Sequence, residues 1–167
     1  MPGSKENGKE EIRDWVHARD DIKVIVDVGC GSGTYPRLLG DGYEYIGIEI
    51  WEPYIGMFDL HSLYKEIIIS DVSSCKLPKG DCIIFGDVLE HLPKKDALRV
   101  LREAGEQYNH MILSIPISMK RGEIVPAKVH YGNPYEAHLS DWIFAELEKM
   151  YRWNKVILSG GIGIFIK

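Results

Sequence analysis

The sequence predicts a doubly wound α/β fold, in which a mostly parallel β-sheet is covered by helices on both faces. Short runs rich in isoleucine and valine recur along the chain without polar alternation, as is typical of strands buried on both faces. Amphipathic segments lie between several of these runs, and this alternation indicates crossover helices. A turn with glycine at every second position directly follows the first run, at residues 29–33.

Length and composition favour a single domain, predicted to span residues 1–167. The chain is 45% hydrophobic and 27% charged, which is enough apolar material for one core. Its formal net charge of −5 argues against nucleic acid as a partner. Neither a signal peptide nor an apolar run long enough to cross a bilayer is present, so we expect a cytoplasmic protein without membrane contact. A homodimer is compatible with a domain of this size.

A tail, a helix and four strands are predicted in the first half of the chain, and three further strands are predicted in the second half. Residues 1–9 are polar and are expected to form a disordered tail, whereas Ile12, Trp15 and Val16 share one face of a helix predicted over 11–19. Only nine residues separate Gly33 from Tyr43, so the helix after the glycine turn must be short. The strands predicted in the whole chain cover residues 24–28, 45–50, 67–69, 82–85, 111–115, 156–158 and 162–166.

Two helices and a hairpin are predicted in the second half. The longer helix covers 94–107, and the other covers 141–151 with Ser140 as its N-cap. The stripe of the longer helix comprises Ala97, Leu98, Leu101 and Ala104. Only Ser159, Gly160 and Gly161 separate the last two strands, which is too short for a crossover helix. The chain should therefore end in an antiparallel hairpin.

Polar and glycine residues at successive strand ends indicate a nucleotide-like cofactor. Glycines in the turn allow positive φ and bring backbone N–H groups close to a ligand. Their G-x-G-x-G spacing differs from the G-x-G-x-x-G of dinucleotide-binding domains, which disfavours a nicotinamide cofactor but leaves it as an alternative. Glu49 ends the second strand 20 residues after Gly29, where a carboxylate can accept from ribose hydroxyls. Asp71 and Asp87 follow the third and fourth strands.

These motifs resemble, in order and spacing, those of class I S-adenosylmethionine-dependent methyltransferases. The matching segments are Val-Asp-Val-Gly-Cys-Gly-Ser-Gly at 26–33, Gly-Ile-Glu at 47–49, Ser-Asp-Val at 70–72 and Phe-Gly-Asp-Val-Leu-Glu-His-Leu at 85–92. The resemblance implies a Rossmann-like seven-stranded mixed sheet in the order 3-2-1-4-5-7-6, with S-adenosyl-L-methionine as methyl donor. It also implies binding roles for Asp27, Gly29 and Gly31 at the methionine, Glu49 at the ribose, Asp71 and Val72 at the adenine, and Asp87 at the methionine amino group or the acceptor.

The acceptor of the methyl group is expected to be an oxygen or nitrogen of a small molecule. An alcohol or protonated amine must lose a proton, so histidines and carboxylates near strand ends are the catalytic candidates, and we select Glu90, His91 and His138. His138 belongs to a long segment after the fifth strand, residues 116–139. Long loops in compact domains tend to be functional, so this segment, called the lid below, is expected to recognise the acceptor.

Three further interpretations stay open. The spacing of Asp87, Glu90 and His91 with a distal His130 or His138 resembles the metal site of small-RNA 3′-end 2′-O-methyltransferases, which makes RNA an alternative acceptor. Our prediction is nevertheless that no metal is bound. The fold could also serve as a non-catalytic cofactor-binding subunit that activates a partner. Finally, an aromatic residue after Glu49 could stack on the adenine, and the candidates are Trp51, Tyr54 and Phe58.

Overall fold

The computed structural model describes residues 8–167, so most of the predicted tail, residues 1–7, lies outside the described residues. The helices are α1 (Lys9–His17), α2 (Thr34–Leu39), α3 (Pro53–Met57), α4 (Lys94–Gln107) and α5 (Phe144–Glu148). The strands are β1 (Val24–Val28), β2 (Glu44–Glu49), β3 (Glu66–Ile69), β4 (Cys82–Gly86), β5 (His110–Pro116), β6 (Lys155–Ser159) and β7 (Ile162–Ile166). Single 3₁₀ turns cover Leu60–Ser62, Leu89–His91 and Pro134–Glu136. Within the described range, no helix is both long and apolar enough to cross a membrane.

The strands form one seven-stranded sheet in the order β3-β2-β1-β4-β5-β7-β6, as predicted. The first five strands pair in parallel, and β7 runs antiparallel to both β5 and β6. Ser159 pairs with Ile162, so the β6–β7 turn consists of Gly160 and Gly161. Both have positive φ, 56° and 80°, which is the backbone that a tight two-residue hairpin requires. The predicted terminal hairpin is therefore confirmed.

Helices cover both faces of the sheet and create two apolar layers. One layer contains the buried side chains of α1, α2 and α3, including Ile12, Val16 and Ile55. The other contains those of α4 and α5, including Leu101 and Leu147. Because the central strands touch both layers, their runs of isoleucine and valine need no polar alternation.

Two of the predicted helices have different bounds in the structure. α1 begins at Lys9, which was assigned to the tail, and its side chain is buried. The helix predicted over 141–151 is confined to Phe144–Glu148, and Ser140 is not its N-cap. The hydroxyl of Ser140 donates to the carbonyl of Leu89, while the backbone N–H of Ser118 donates to Trp142. These tertiary bonds hold residues 140–142 outside the helix, although Trp142 is fully buried as the pattern required.

Candidate active site

The carboxyl ends of the parallel strands surround a cavity of 730 Å³. In open α/β sheets, ligands bind at this edge. The structure brings together around this cavity every residue that the sequence proposed for the site, namely Asp27, Gly29, Gly31, Glu49, Asp71, Val72, Asp87, Glu90, His91 and His138. The lid supplies much of the remaining wall, including Val125, Lys128, His130 and Glu136. The individual roles of these residues stay predictions, but their convergence is a property of the fold.

The glycine turn brings backbone directly against the cavity. Gly29, Gly31 and Gly33 all have positive φ, between 50° and 74°. A Cβ atom on Gly29 would lie 2.3 Å from Cγ2 of Val88, which is far inside contact distance. Glycine is therefore required there for both conformation and space.

Glu49 is fixed at the end of β2 by the backbone of its neighbours. Its Oε2 accepts from the N–H of Gly31 at 2.9 Å, and its Oε1 accepts from the N–H of Trp51 at 2.8 Å. Burial raises the pKa of this carboxyl, while the two backbone bonds oppose that rise. A carboxylate oxygen that accepts one hydrogen bond can accept another. Glu49 can thus accept hydrogen bonds from a pair of ribose hydroxyls while it keeps its bonds from Gly31 and Trp51.

Asp27 belongs to a buried polar group that sequence reasoning missed. The hydroxyl of Tyr64 donates to Oδ2 of Asp27 at 2.5 Å. Burial raises the pKa of Asp27 to about 7, against the opposing effects of Tyr64 and the charge of Lys9. Lys9 donates from Nζ to the hydroxyl of Tyr35 at 2.8 Å, and burial lowers its pKa to about 8. Lys9 and Tyr64 lie 18 residues before and 37 residues after Asp27, so no local pattern connects them.

Asp71 and Asp87 occupy the turns after β3 and β4. Asp71 accepts from the N–H of Ser73 at 2.7 Å, so one of its oxygens stabilises its own turn. Asp87 has a φ of 54°, an uncommon conformation for a residue with a Cβ. Its N–H donates to the carbonyl of Ser114 on β5 at 2.8 Å. Such backbone strain is concentrated at functional sites, because only the surrounding structure can maintain it.

The structure also gathers Glu90, His91 and His138 at the cavity. Glu90 lies in the 3₁₀ turn after β4 and is 2% exposed. The rings of the two histidines are 4.8 Å apart at 70°, and Nε2 of His138 lies 4.0 Å from Oε1 of Glu90. Burial, together with the charge of Asp87, raises the pKa of Glu90 well above its usual value. The cluster joins the fourth strand end to the lid, as the sequence proposed.

Hydrogen bonds to backbone carbonyls determine which nitrogen of each histidine carries the proton. Nδ1 of His91 lies 3.2 Å from the carbonyl of Ala137, and Nδ1 of His138 lies 2.5 Å from that of Val125. A carbonyl only accepts, so Nδ1 must be the protonated nitrogen, and Nε2 of the neutral ring keeps its lone pair. Burial lowers the pKa of His91, which favours the neutral form. Both histidines are therefore suited to accept a proton at Nε2.

The same three side chains could hold a divalent cation. One candidate ligand atom from each of Glu90, His91 and His138 lies within 4.8 Å of the others. Neither oxygen of Glu90 has a hydrogen-bond partner within the described residues. One carboxylate and two imidazoles are ligands that several divalent metals accept. The predicted absence of a metal therefore stays a prediction.

The aromatic residues after Glu49 face the lid. Tyr54 lines the cavity, whereas Trp51 and Phe58 do not. Ring contacts join Trp51 to Tyr135 and Phe58 to Tyr131, both on the lid. Of the three candidates for contact with an adenine, only Tyr54 is placed on the cavity wall.

Comparisons with known proteins agree with this architecture. A family model described as a methyltransferase domain matches residues 26–106. None of the curated proteins compared with the chain matches it. Among solved structures, a S-adenosylmethionine-dependent methyltransferase from Clostridium acetobutylicum ATCC 824 has a TM-score of 0.73 at 11% identity, covering 97% of this chain and 91% of that one.

Two other solved structures contain S-adenosylhomocysteine (SAH). Magnesium protoporphyrin IX methyltransferase (ChlM) from Synechocystis PCC 6803 has a TM-score of 0.65 at 18% identity, with 95% of this chain and 79% of that one covered. The N-terminal domain of EvdMO1, in the presence of SAH and D-fucose, has a TM-score of 0.63 at 17% identity, with 97% and 82% covered. At these identities, the likeness establishes the common fold.

Proposed function

We propose that the chain is a class I S-adenosylmethionine-dependent methyltransferase that methylates an oxygen or nitrogen of a small molecule. The match to a methyltransferase-domain model and the fold shared with methyltransferases that bind SAH or S-adenosylmethionine support the family and the methyl donor. One observation carries this proposal. Two histidines whose Nδ1 atoms lie against backbone carbonyls line the same cavity as the glycine turn. The proposed proton acceptors and the predicted donor site thus line one cavity.

The residues on the donor side fit the methyl donor. The glycine turn offers close backbone, and Glu49 offers a carboxylate already held for paired hydroxyls. Asp27, Asp71 and Asp87 add acidic groups, with Val72 beside them, along the same wall. An acidic wall suits a donor that carries a positive sulfonium and an ammonium group. We assign these residues to donor binding, in the order of the strands that carry them.

The reaction needs a proton acceptor more than a nucleophilic side chain. In S-adenosylmethionine the methyl group is bonded to a positively charged sulfonium sulfur, which is a good leaving group because it departs as a neutral thioether. As the acceptor oxygen or nitrogen forms its bond to the methyl carbon, the carbon–sulfur bond breaks and the acceptor proton passes to Nε2 of His138 or His91. We place Glu90 behind them, where its carboxyl supports the imidazolium that forms. Positioning and proton removal then account for the catalysis.

The size of the cavity supports a small acceptor. Its 730 Å³ lies within the range of small-molecule sites, part of which the methyl donor would fill. The structures with D-fucose and of magnesium protoporphyrin IX methyltransferase indicate that related folds work on small molecules. We propose that the lid recognises the acceptor, because it lines the same cavity as the glycine turn.

The test separates donor binding from turnover in H138A and H91A. SAH affinity is measured by calorimetry, and methyl transfer from labelled donor is measured on a panel of phenols, sugars and amines. We expect SAH affinity within twofold of wild type and kcat/KM lower by roughly 100-fold or more in H138A. The matched control is H61A, because His61 is exposed. Wild-type turnover in both variants would contradict the assignment, and SAH binding without turnover on any acceptor would favour an activating subunit.

Metal-assisted methylation of an RNA 2′-hydroxyl is a second candidate. It is favoured by the spatial cluster of Glu90, His91 and His138, which offers three ligands to a divalent cation. We would measure methyl transfer to a short RNA with magnesium, with manganese and with a chelator. Transfer to RNA that is lost with the chelator would support this candidate. Chelator-resistant transfer to a small acceptor would reject it.

A further inference from the structure

A single carboxylate joins the lid to the donor side of the cavity. The hydroxyl of Tyr54, on α3, donates to Oε1 of Glu136 at 2.5 Å. The other oxygen of Glu136, Oε2, accepts from the backbone N–H of His130. Glu136 therefore bonds simultaneously to α3 and to the lid that carries it. Both Tyr54 and Glu136 line the cavity.

The environment makes this a charge-assisted hydrogen bond. Tyr54 is 2% exposed, and burial, followed by its bond to Glu136, raises the pKa of its phenol. The phenol therefore keeps its proton and acts as the donor. Besides burial, the charge of Glu136 contributes to raising the pKa of Glu49. Hydrogen bonds to an ionised acceptor are about twice as strong as neutral ones.

The surrounding contacts between α3 and the lid are less specific. The ring of Tyr131 meets that of Tyr54 edge-on, with centroids 6.3 Å apart, and meets Phe58 at 5.9 Å. Tyr131 is nevertheless 55% exposed. Half-exposed aromatic rings can slide past one another, whereas a carboxylate that accepts hydrogen bonds from two donors has a defined position. Among the contacts between α3 and the lid, the bond between Tyr54 and Glu136 is thus the one that defines the position of the lid.

This bond lies two residues from a proposed proton acceptor. Glu136 is followed by Ala137, whose carbonyl receives Nδ1 of His91, and by His138. Two residues span at most about 7 Å of chain, so a shift at Glu136 is transmitted to both imidazoles. A displacement of about 1 Å is enough to reduce turnover strongly.

We propose that Tyr54 and Glu136 are positioning residues, whose hydrogen bond holds the lid so that His138 and His91 face the methyl donor. The inference rests on the proposed function, in which these histidines accept the proton. Tyr54 and Glu136 act through the histidines, and neither takes part in proton transfer. The bond also connects α3, which follows the strand that carries Glu49, to the lid, which carries His138.

The test uses Y54F, which removes one hydroxyl and keeps the ring, and E136Q, which keeps the shape of the side chain. Their matched control is Y151F, because Tyr151 donates a 2.8 Å bond to the carbonyl of Leu101 far from the lid. For each protein, we would measure SAH affinity, kcat and KM for the acceptor, and the rate of tryptic cleavage at Lys128 with SAH bound. Lys128 is an exposed trypsin site in the lid.

We expect kcat to fall about tenfold in Y54F and in E136Q, with SAH affinity within threefold of wild type. Lid cleavage should accelerate by a similar factor, because the lid opens more often. Y151F should leave kcat and lid cleavage unchanged, even if its Tm falls. A global loss of folding would lower Tm and accelerate cleavage throughout the chain, so cleavage confined to Lys128 and its neighbours identifies the local effect.

The proteolysis readout separates this inference from the proposed function. If Y54F and E136Q have wild-type kcat and lid cleavage while H138A is inactive, the positioning role is wrong and the proposed function stands. If H138A and H91A keep full turnover, the proposed function is wrong. Accelerated lid cleavage in Y54F would then still support the anchor between α3 and the lid.

Discussion

The two halves of the cavity are built in different ways. The donor half consists of the ends of β1, β2 and β3 with the turns that follow them. Glu49 and Asp71 in this half are held by backbone N–H groups, Glu49 by those of Gly31 and Trp51 and Asp71 by that of Ser73. The acceptor half consists of the turn Leu89–His91 and the lid. It is held by bonds between distant residues, such as the 2.7 Å bond from the N–H of Leu139 to the carbonyl of Glu90.

This difference corresponds to two tasks of the proposed site: binding of the methyl donor, which stays the same, and recognition of the acceptor, which can change. A donor site on strand ends keeps its geometry whatever the loops do, because the parallel sheet fixes the strand ends. A lid held by a few long-range bonds can change its residues without disturbing that site. The comparison predicts that substitutions in the donor half mainly change SAH affinity, and that substitutions in the acceptor half mainly change turnover.

The largest effect is expected for G29A in the donor half. The added Cβ would lie 2.3 Å from Val88 and would be held at a φ of 63°, so the turn must move away from the ligand. We expect SAH affinity to fall by about 100-fold or more and stability by about 2–4 kcal/mol. Calorimetry and thermal unfolding provide the measurements.

The control for G29A is G132A in the lid. Gly132 has a φ of 73°, but no atom lies within 4 Å of its Cβ position. It should lose only about 1–2 kcal/mol from the strained backbone and keep its SAH affinity. Equal losses of SAH affinity in G29A and G132A would contradict the prediction that SAH affinity depends mainly on the donor half.

The next effect concerns E49Q. The amide of glutamine cannot accept from both Gly31 and Trp51, so one backbone N–H loses its partner and the charge for the ribose is lost. SAH affinity should fall by about tenfold to 100-fold. The control E44Q, on the same strand, removes only the exposed ion pair of Glu44 with Lys65 and should change nothing. An unchanged SAH affinity in E49Q would show that Glu49 supports the turn alone.

A pH effect is expected from Asp27. Its pKa is raised from 3.8 to about 7 in the folded chain, so the folded state binds the proton more tightly than the unfolded state. The stability of the SAH-free protein should therefore fall as the pH rises from about 4 to 7, by about 2 kcal/mol between pH 5.5 and 7.5. D27N should lack this component and gain most over wild type at pH 7.5. A gain in Tm that is the same at both pH values would contradict it.

The smallest effect is expected in the acceptor half, for E90Q. A buried carboxyl without a hydrogen-bond partner among the described residues is replaced by a neutral amide, which is less costly to bury. In metal-free buffer, Tm should rise by about 2–4 °C, while turnover falls. E123Q is the control, because Glu123 is exposed. A lower Tm in E90Q would mean that the carboxyl stabilises the fold.

Sequence patterns located the strand ends of the donor half, because each strand end is marked by residues within one strand and its following turn. The glycine turn, Glu49 and Asp71 lie at the strand ends that the hydrophobic pattern predicted. The helix over 141–151 was the clearest failure. Its pattern is amphipathic, yet the backbone of residues 140–142 bonds to Ser118 and Glu90 instead of to itself. Helical propensity is weaker than such tertiary bonds.

The sequence by itself determined the sheet and the glycine turn and predicted the methyl donor, because these depend on residues that are neighbours along the chain. Only the tertiary structure placed Lys9 behind Tyr35, bonded Tyr54 to Glu136, and brought His138 beside His91. These pairs are separated by 26, 82 and 47 residues. Residues so far apart leave no periodic pattern, since their meeting depends on the path of the whole chain through the sheet.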